Sequence, residues 1–460
     1  MSANLDLLAS ALGIATTFTD AGLTQKTYAV SPDVIRAFAA ALGYPCATDD
    51  EIASSLRKLE ERRWQDTLQP IYVCRQDNIT FDVVLPQGRR LDSVLIKDSR
   101  HQVQSVLMEE GREPMSYQLG GQTLVKYAYV ITTPLDIGYY ELNVRFGDKN
   151  CKSRLAVAPE RCFEAAGPDQ RLWGYAVQLY SVRSKRNWGV GDFTDLADLV
   201  KMCARCGASI IGLNPLNVLC HDFPENASPY QSISRLFLNP IYIDVEAVPE
   251  FVEQDKQLIE GVLAEVRSGE LIQYNKVYPL KIKMLEKCFK RFLDGGNSSR
   301  RRAFDKFCGE RGQDLDRLAL FQTLYEDECQ KVWGGWMAWP EEYRTPAGSG
   351  ILDFADSHQS RIEFFKFMQF EADRQFRKVK NLVDDLGLKI GLYRDLAVGV
   401  GKDSAEYWGN AELFIPGVGA GAPPDAFFPC GQSWGLGAFS PEKLKDLGYE
   451  PFIKILRANM

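Results

Sequence analysis

The chain has 460 residues, of which 45% are hydrophobic and 25% are charged, with a formal net charge of -7 and a pI near 5.4. This composition is ordinary for a soluble globular protein, and the length allows about three domains of ordinary size or two with one large. The acidic balance argues against a protein whose main task is to hold nucleic acid. No apolar run approaches the ~20 residues that a membrane span needs, and the amino terminus lacks the basic region of a secretory signal, so we expect no membrane partner.

Residues 1–68 are predicted to form a small helical domain. In the segment SPDVIRAFAAALG (31–43), Ser31 suits the N-cap of a helix and Gly43 suits its end, while apolar residues recur at helical spacing. A second helix, amphipathic with a charged outer side, is predicted over 49–68.

Residues 69–160 are predicted to form a β-sandwich of immunoglobulin type. Short segments there alternate apolar and polar residues, which is the period of a strand, and turn residues separate them. These segments are 79–86, 92–98, 125–133 and 138–147. Short antiparallel strands at this spacing are typical of such a sandwich. A scaffold or packing role is the expected one, with ligand binding as the alternative.

From residue 161 to residue 460, strands and helices alternate. The segments 172–182 and 208–218 are predicted strands on either side of a predicted helix (192–207), which makes a βαβ unit with parallel strands. Such units indicate an α/β fold, and we predict a (β/α)8 TIM barrel.

The same pattern returns late in the chain, where a long predicted helix (361–387) leads into an apolar strand (388–396). Between the two units, residues 245–360 are mostly helical in pattern. Long insertions in barrels belong on the loops that follow strands, so we predict a helical insertion after the second barrel strand.

The eleven cysteines and three histidines give no pattern of a metal centre or of a disulfide framework. Cys203 and Cys206 form one C-x-x-C pair, but it falls within a helical pattern and has no second pair. Packed small side chains explain this pair better than a metal or redox role. An odd number of scattered cysteines fits a reducing cytoplasm, which we predict as the location.

The glycine-rich segment GVGAGAPP (417–424) does not fit a phosphate-binding loop. No strand is predicted before it and two prolines follow, whereas dinucleotide sites and P-loops need a strand before the loop and a helix after it. We predict a flexible loop that lets a bulky ligand approach closely.

The segment KIGLYRDLAVGV (389–400) ends an apolar run with Arg394 and Asp395. Strand interiors disfavour Asp, but α/β barrels place their working residues at the carboxyl ends of strands. The alternative is a solvated ion pair at the end of a surface strand.

Predicted loops at strand ends gather side chains that suit a carbohydrate. The aromatic residues are Trp188, Tyr230, Trp408, Phe427 and Trp434, the amides are Asn187, Gln231 and Gln432, and the carboxylates are Asp395 and Asp425. Aromatic rings pack on the C–H face of a sugar, while amides and carboxylates bind its hydroxyls. Any one of these aromatics alone would more often be a core residue, so the prediction rests on their density.

At these residues the sequence resembles the 4-α-glucanotransferases (amylomaltase, disproportionating enzyme) of glycoside hydrolase family 77. The resemblance runs over essentially the whole chain, including the amino-terminal helical and β domains of longer bacterial members. The motifs that carry it are SPYQSISRLFLNP (228–240), WMAWPEEY (336–343), GLYRDLAVGV (391–400), SAEYWGN (404–410), GAPPD (421–425) and GQSWG (431–435).

The resemblance implies an enzyme that moves a segment of an α-1,4-glucan to the 4-hydroxyl of another glucan or of glucose, with retention through a covalent glycosyl-enzyme. Maltooligosaccharides and glucose are the implied partners, and no organic cofactor or catalytic metal is implied. A glucan-binding protein without transferase activity and an α-amylase-type hydrolase are the alternatives.

The resemblance also assigns substrate-binding residues. Tyr230 would stack on the sugar at the cleavage point, with Ser228 close by, and Asp395 would line the same subsite. Gln432 and Trp434 would belong to a loop over the acceptor. The substrate-binding candidates are Ser228, Tyr230, Asp395, Asp425, Gln432 and Trp434.

The sequence departs from the family pattern at its carboxyl end. In the family, the nucleophile Asp follows an Arg-Ile-Asp-His-type strand and the acid/base Glu comes later, whereas PFIKILRANM (451–460) corresponds to the helix before that strand. Both catalytic carboxyl groups are therefore expected after Met460, and only about three of the eight barrel strands are predicted. The resemblance thus implies that residues 161–460 are the amino-terminal part of the catalytic barrel. Residues 1–460 alone are expected to be inactive.

Overall fold

The computed structural model describes residues 3–21, 25–165, 167, 170–220, 222, 224–296, 298–328 and 334–460. Contacts within the chain divide it into two units. The first unit comprises Met1–Phe163, Glu412–Trp434 and Ala438–Ile453, and the second comprises Glu164–Ala411, Gly435–Gly437 and Lys454–Met460. The domain limits proposed from the sequence stay a prediction. Among the described residues, no helix combines the length and the apolar character needed to cross a bilayer.

The first unit begins with helices and one short hairpin. In chain order these elements are α1 (Ala3–Leu12), β1 (Thr17–Thr19), β2 (Thr27–Ala29), α2 (Pro32–Ala41) and α3 (Asp49–Gln65). The hydroxyl of Ser31 accepts a hydrogen bond from the amide of Val34 at the start of α2, and Thr48 forms a capping box with Glu51 on α3. The core between these helices contains Leu5, Leu8, Ala9, Ile35, Ala39, Cys46 and Ile52. The helices predicted in this region are confirmed.

Two sheets of a β-sandwich follow. Their strands are β3 (Ile71–Arg75), β4 (Ile79–Pro86), β5 (Ser93–Lys97), β6 (Val103–Ser105), β7 (Met108–Glu110), β8 (Met115–Leu119), β9 (Gln122–Ile131), β10 (Gly138–Phe146) and β11 (Lys149–Ala158). One sheet has the order β3-β11-β10-β5-β6, and in the other β9 pairs with β4, β7 and β8. Alternate residues of β9 are buried and enter a core shared with Val83 of the paired strand β4 and with Leu142 of β10 in the other sheet. The predicted sandwich is confirmed.

The second unit contains a parallel sheet with short strands. Its first elements are β12 (Gly174–Val177), α4 (Phe193–Arg205), β13 (Ile210–Leu213), β14 (Asn217–Val218) and β15 (Ser234–Leu238). The α-helices that follow are α5 (Glu253–Gln257), α6 (Glu260–Ser268), α7 (Tyr274–Asp294), α8 (Ser298–Glu328), α9 (Ile351–Ser357) and α10 (Gln359–Asp385). The chain then returns to the parallel sheet with β16 (Gly391–Arg394), which is followed by α11 (Ala405–Gly409).

Strand β13 lies between β12 and β16, and Ile210 pairs in parallel register with Gly174 on one side and Gly391 on the other. This is the strand arrangement at the start of a (β/α)8 barrel, so the predicted fold class is confirmed. The first strand is shorter than the predicted segment 172–182, because the backbone turns into a 3-10 helix at Leu179–Ser181.

Helices α5 to α9 confirm that the insertion after the second barrel strand is mostly helical. A cluster of phenylalanines joins α7, α8 and α10, with ring centroids of Phe292 and Phe367 5.1 Å apart and those of Phe304 and Phe370 5.6 Å apart. Burying such rings supplies the main driving force for holding long helices together. The insertion therefore carries its own share of the core.

Two glutamines of α10 hold the chain that leaves β15. Gln369 accepts from the amide of Leu238 at 3.1 Å and donates to its carbonyl at 2.9 Å. Gln375 makes the same pair of bonds with Asp244, both at 2.9 Å. Each buried side-chain amide thus satisfies backbone groups as a neighbouring strand would.

The glycine-rich segment is a strand, and the prediction of a loop there was wrong. It forms β17 (Phe414–Ala422), which pairs with β18 (Gln432–Phe439), and the helices α12 (Pro441–Asp446) and α13 (Glu450–Asn459) follow. Pairing brings the backbones so close that a Cβ on Gly421 would lie 2.0 Å from the carbonyl oxygen of Gln432. Glycine serves this contact because it has no side chain.

Candidate functional site

The predicted residues Tyr230 and Asp395 come together in the second unit. The Tyr230 hydroxyl donates to Oδ2 of Asp395 at 2.8 Å. Asp395 follows β16 directly, and its amide donates to the carbonyl of Leu213 in β13 at 2.9 Å, which holds the carboxylate at the carboxyl edge of the sheet. Tyr230 remains 48% exposed, so a ring face and a carboxylate oxygen are offered to a ligand side by side.

The electrostatics of this pair follow from the hydrogen bond. The bond to the Asp395 carboxylate, with a smaller contribution from burial, raises the pKa of Tyr230 above its ordinary value. The phenol therefore stays protonated at neutral pH and remains a donor. Ser228 is exposed and its carbonyl accepts from the amide of Gln231 at 3.1 Å, which forms the turn that carries Tyr230.

A buried ion pair joins the two loops that present this site. Arg235 and Glu406 are separated by 2.5 Å between Nη2 and Oε1, and their side chains are only 2% and 7% exposed. Glu406 also accepts from the backbone amide of Arg235 at 3.0 Å, and its own amide donates to the carbonyl of Ile233 at 3.0 Å. Arg235 further donates to the carbonyl of Val398 at 3.1 Å, which ties the loop after Asp395 to the strand after Tyr230.

Arg235 and Glu406 were not predicted as site residues, although each lies in a motif shared with the family. A usable signal was present, since Arg235 interrupts the otherwise apolar run ISRLFL and charged residues are rarely buried unless paired. The identity of its partner could not be read from the sequence, because Glu406 lies 171 residues away.

Arg394 does not form a solvated ion pair with Asp395, because its guanidinium is engaged elsewhere. Its Nε donates to the carbonyl of Asn459 at 3.0 Å, and its Nη2 donates to the carbonyl of Ala458. The guanidinium also lies over the ring of Phe376, 4.8 Å from the centroid, and burial lowers its pKa to about 10. Arg394 therefore remains charged at neutral pH and binds the carboxyl-terminal end of α13, where a cation is favoured.

The motif WMAWPEEY supports the loop after Asp395 from the side of the insertion. The carboxylate of Asp403 accepts from the amide of Trp336 and from the hydroxyl of Tyr325, both at 3.0 Å. A Cβ on the preceding residue, Gly335, would lie 2.2 Å from this carboxylate, so only glycine fits there. Trp408 completes the contact by donating from Nε1 to the carbonyl of Tyr343 at 2.9 Å.

Two of the aromatic residues expected to face a sugar are core residues, so that part of the prediction was wrong. Trp188 is 2% exposed and donates to Glu246 at 2.9 Å, and Trp408 is 1% exposed and packs on Phe321 with centroids 5.6 Å apart. Asn187 is buried as well and donates to Asp195 at 2.8 Å. All three side chains are used by the fold of the insertion and of α4.

The predicted residues Asp425, Phe427, Gln432 and Trp434 lie on the hairpin formed by β17, β18 and the turn between them. Trp434 is 41% exposed, and its Nε1 donates to Oε1 of Gln432 at 3.2 Å. Asp425 closes the turn between the strands, since its Oδ1 accepts from the amides of Phe427 at 2.8 Å and Phe428 at 2.7 Å. The structure thus joins Gln432 with Trp434, while Asp425 has a local structural role.

Comparisons with known proteins agree with this architecture. A family model described as 4-alpha-glucanotransferase of glycoside hydrolase family 77 matches residues 177–460, and one described as the MalQ N-terminal beta sandwich domain matches residues 67–159. A 4-alpha-glucanotransferase of Mycobacterium tuberculosis is 32% identical over 98% of this chain and 63% of its own length. One from Haemophilus influenzae is 31% identical over 79% of this chain and 57% of its own length.

A solved structure, the amylomaltase from Corynebacterium glutamicum, superposes with a TM-score of 0.83 at 27% identity, covering 99% of this chain and 63% of that protein. The chain therefore spans roughly three fifths of the length of the relatives it matches. Because the first family model covers more than half of the sequence, and the fold is that of a solved amylomaltase, the chain belongs to glycoside hydrolase family 77, the family of the 4-alpha-glucanotransferases.

Proposed function

We propose that the whole protein is a 4-α-glucanotransferase that moves segments of α-1,4-glucans between maltooligosaccharides or onto glucose. The observation that carries the proposal is the Tyr230–Asp395 pair at the carboxyl edge of the barrel sheet, in a chain of this family. An exposed ring beside a carboxylate suits a sugar, because the ring covers the C–H face while the carboxylate accepts hydroxyl protons.

Each candidate residue has a proposed part in binding. Tyr230 stacks on the sugar at the cleavage point, Asp395 accepts its hydroxyls, and Ser228 contacts the same sugar from the turn before Tyr230. Gln432 and Trp434 contact the acceptor glucan from the hairpin. Their mutual hydrogen bond at 3.2 Å supports this part of the proposal, because it orients the indole while leaving it 41% exposed.

Asp425 is the weakest of these candidates. The turn amides of Phe427 and Phe428 occupy its Oδ1, which leaves Oδ2 as the oxygen that would accept a glucan hydroxyl. Its place among the substrate-binding residues rests on the family resemblance.

The proposed reaction retains the α configuration. One carboxyl group protonates the leaving 4-oxygen while a second, about 5–5.5 Å away, bonds to the anomeric carbon as the old glycosidic bond breaks. The acceptor 4-hydroxyl then attacks that carbon and its proton passes to the first carboxylate. The bond between the anomeric carbon and the second carboxylate breaks in this step, which frees the enzyme. We assign neither carboxyl group to residues 1–460. Asp395 instead holds hydroxyls, in keeping with its bond to Tyr230.

Product analysis with maltotriose tests this function. A transferase converts maltotriose into glucose and longer maltooligosaccharides, a hydrolase makes only shorter products, and a glucan-binding protein leaves it unchanged. We expect transfer from the whole protein and neither transfer nor hydrolysis from residues 1–460, since loss of a covalent nucleophile removes several powers of ten in rate. Transfer by residues 1–460 would place the catalytic carboxyl groups within this chain, with Asp395 and Asp425 the first to test.

A cytoplasmic location is part of the same proposal. The described cysteines are all free, which supports a reducing compartment. The acidic net charge gives no support to a nucleic-acid partner. Fractionation of cells that express the protein, followed by immunodetection, tests the location.

A further inference from the structure

We propose that the amino-terminal helices hold the hairpin β17–β18 in place and thereby position Gln432 and Trp434. The contact that does so, which we call the clamp, consists of Tyr44, Arg62, Glu442 and Asp446. The proposal rests on the proposed function, because it gives the amino-terminal helices a part in acceptor use by the enzyme.

The hairpin needs support from outside. Its buried apolar side chains are few, namely Phe414, Ile415 and Leu436. Gly417 and Gly435 have φ of 74° and 70°, in the left-handed region where glycine is favoured, and glycine loses more conformational entropy on folding than other residues. A two-stranded hairpin is marginally stable alone, so its order depends on the contacts at its ends.

The clamp acts on the helix that follows the hairpin. Only Ser440 separates β18 from α12, and its amide donates to the carbonyl of Leu413 at 2.7 Å, so α12 and the base of the hairpin move together. Arg62 of α3 binds two carboxylates of α12, at 2.7 Å to Glu442 and 2.6 Å to Asp446. A planar guanidinium that bridges two carboxylates fixes direction as well as distance.

Tyr44 adds a donor to the same carboxylate. Its hydroxyl lies 2.6 Å from Oε1 of Glu442, and its side chain is almost fully buried. Burial, with the bond to Glu442, raises the pKa of Tyr44 to about 12, so the hydroxyl donates throughout the neutral range. The Glu442 carboxylate is thus held on both oxygens, by Tyr44 of the connection between α2 and α3 and by Arg62 of α3.

Contacts on either side of the clamp also hold the hairpin and the chain that follows α12. Near the tip of the hairpin, the amide of Ala21 donates to the carbonyl of Pro424 at 2.9 Å. Beyond α12, Arg154 of the β-sandwich donates to the carbonyl of Gly448 at 3.4 Å and pairs with Glu450. Gly437 of β18 also donates to the carbonyl of Val400, so removal of the clamp loosens the hairpin without releasing it.

The clamp contributes little to the global free energy of unfolding, so variants that lack it should still fold and can be assayed. The side chains of Arg62, Glu442 and Asp446 are 36%, 29% and 42% exposed, and ion pairs this open are worth little to the folded state. Arg63 supplies a matched control, since it lies on the same helix and pairs only with Glu60, at 3.1 Å, among the ion pairs of the described residues.

The experiment compares Arg62→Ala, Arg62→Lys, Tyr44→Phe and the control Arg63→Ala in the whole protein. Hydrogen exchange of the amides in 414–439 measures the order of the hairpin, and transfer from maltoheptaose to labelled glucose measures acceptor use. In Arg62→Ala we expect exchange about tenfold faster, as for a loss of ~1.4 kcal/mol, and a KM for glucose raised about three- to tenfold with kcat and the donor KM unchanged. Arg62→Lys and Tyr44→Phe should lie between wild type and Arg62→Ala, and Arg63→Ala should match wild type.

Hairpin exchange that is unchanged in Arg62→Ala overturns the clamp. Faster exchange with an unchanged glucose KM overturns its part in acceptor use. Faster exchange in a protein whose wild type shows no transfer at all supports the clamp and overturns the proposed function instead, so the two failures are distinguishable.

Discussion

The two regions that carry the candidate residues are supported in opposite ways. The loops around Tyr230 and Asp395 rest on a buried ion pair and on tryptophans of the core, whereas the hairpin with Gln432 and Trp434 is glycine-rich and mostly exposed. Buried support tolerates little displacement, because an interior packs at the density of a crystal. The difference indicates rigid support around Tyr230 and Asp395 and looser support for the hairpin; under the proposed function, we predict that the hairpin adjusts to different acceptors.

Breaking the buried ion pair of Arg235 and Glu406 should reduce stability the most. Glu406→Ala leaves the Arg235 guanidinium buried without its carboxylate and should cost about 3–5 kcal/mol of unfolding free energy, measured by urea denaturation. The exposed carboxylate of Glu412 gives the control, since Glu412→Ala should stay within about 0.5 kcal/mol of wild type. The double variant Arg235→Met with Glu406→Leu should recover most of the loss, because it removes both charges. A stability of Glu406→Ala equal to wild type contradicts the rigid support inferred for this region.

A pair of tryptophan variants separates the two regions directly. Trp408→Ala removes a ring that is 1% exposed and should cost about 3–5 kcal/mol of stability. Trp434→Ala removes a ring that is 41% exposed and should leave the melting temperature near wild type, while weakening glucan use by about 1–3 kcal/mol. Thermal denaturation and calorimetric titration with maltoheptaose provide the two measurements. Lost stability with unchanged glucan use in Trp434→Ala would make that residue a packing residue.

Two variants of Tyr230 separate the contribution of ring stacking to glucan use from that of hydrogen bonding. Tyr230→Ala should weaken glucan use by about 1–3 kcal/mol, whereas Tyr230→Phe keeps the ring and should lose no more than about 1 kcal/mol. Tyr139→Ala is the control, because Tyr139 is comparably exposed but belongs to the β-sandwich. Wild-type kinetics in Tyr230→Ala would rule out the ring as a sugar platform.

The smallest expected effect is in the titration of Tyr230. Its pKa is raised in the folded state, so the hydrogen bond to Asp395 contributes stability below the ordinary tyrosine pKa, ~10, and that contribution is lost as the pH rises through the raised folded value. Asp395→Asn removes the negative charge and should return the pKa of Tyr230 toward its ordinary value. Ultraviolet difference titration, with Tyr230→Phe as the subtraction standard, measures it. An identical titration in Asp395→Asn would show that the carboxylate does not act on the phenol.

Much of the architecture could be predicted from the sequence because local patterns determine it. The period of apolar residues separates helices from strands, and Ser31 and Thr48 begin helices through bonds that span three residues. Asp395 could be placed at a strand end for the same reason, since the apolar run before it stops at that point. The glycine-rich hairpin could not be predicted from the sequence, because glycine is unfavourable in a strand unless a partner backbone comes close.

The series of elements, the α/β class and the position of Asp395 could be inferred from the sequence alone, since all three follow from the spacing of neighbouring residues. Tertiary packing, in contrast, established which side chains contact each other. It put Trp408 inside and left Trp434 outside, paired Arg235 with Glu406, and brought Arg62 to two carboxylates almost four hundred residues away. The physical reason is that burial and pairing depend on which segments fold against each other, and a composition of aromatic and charged residues is compatible with either outcome until they do.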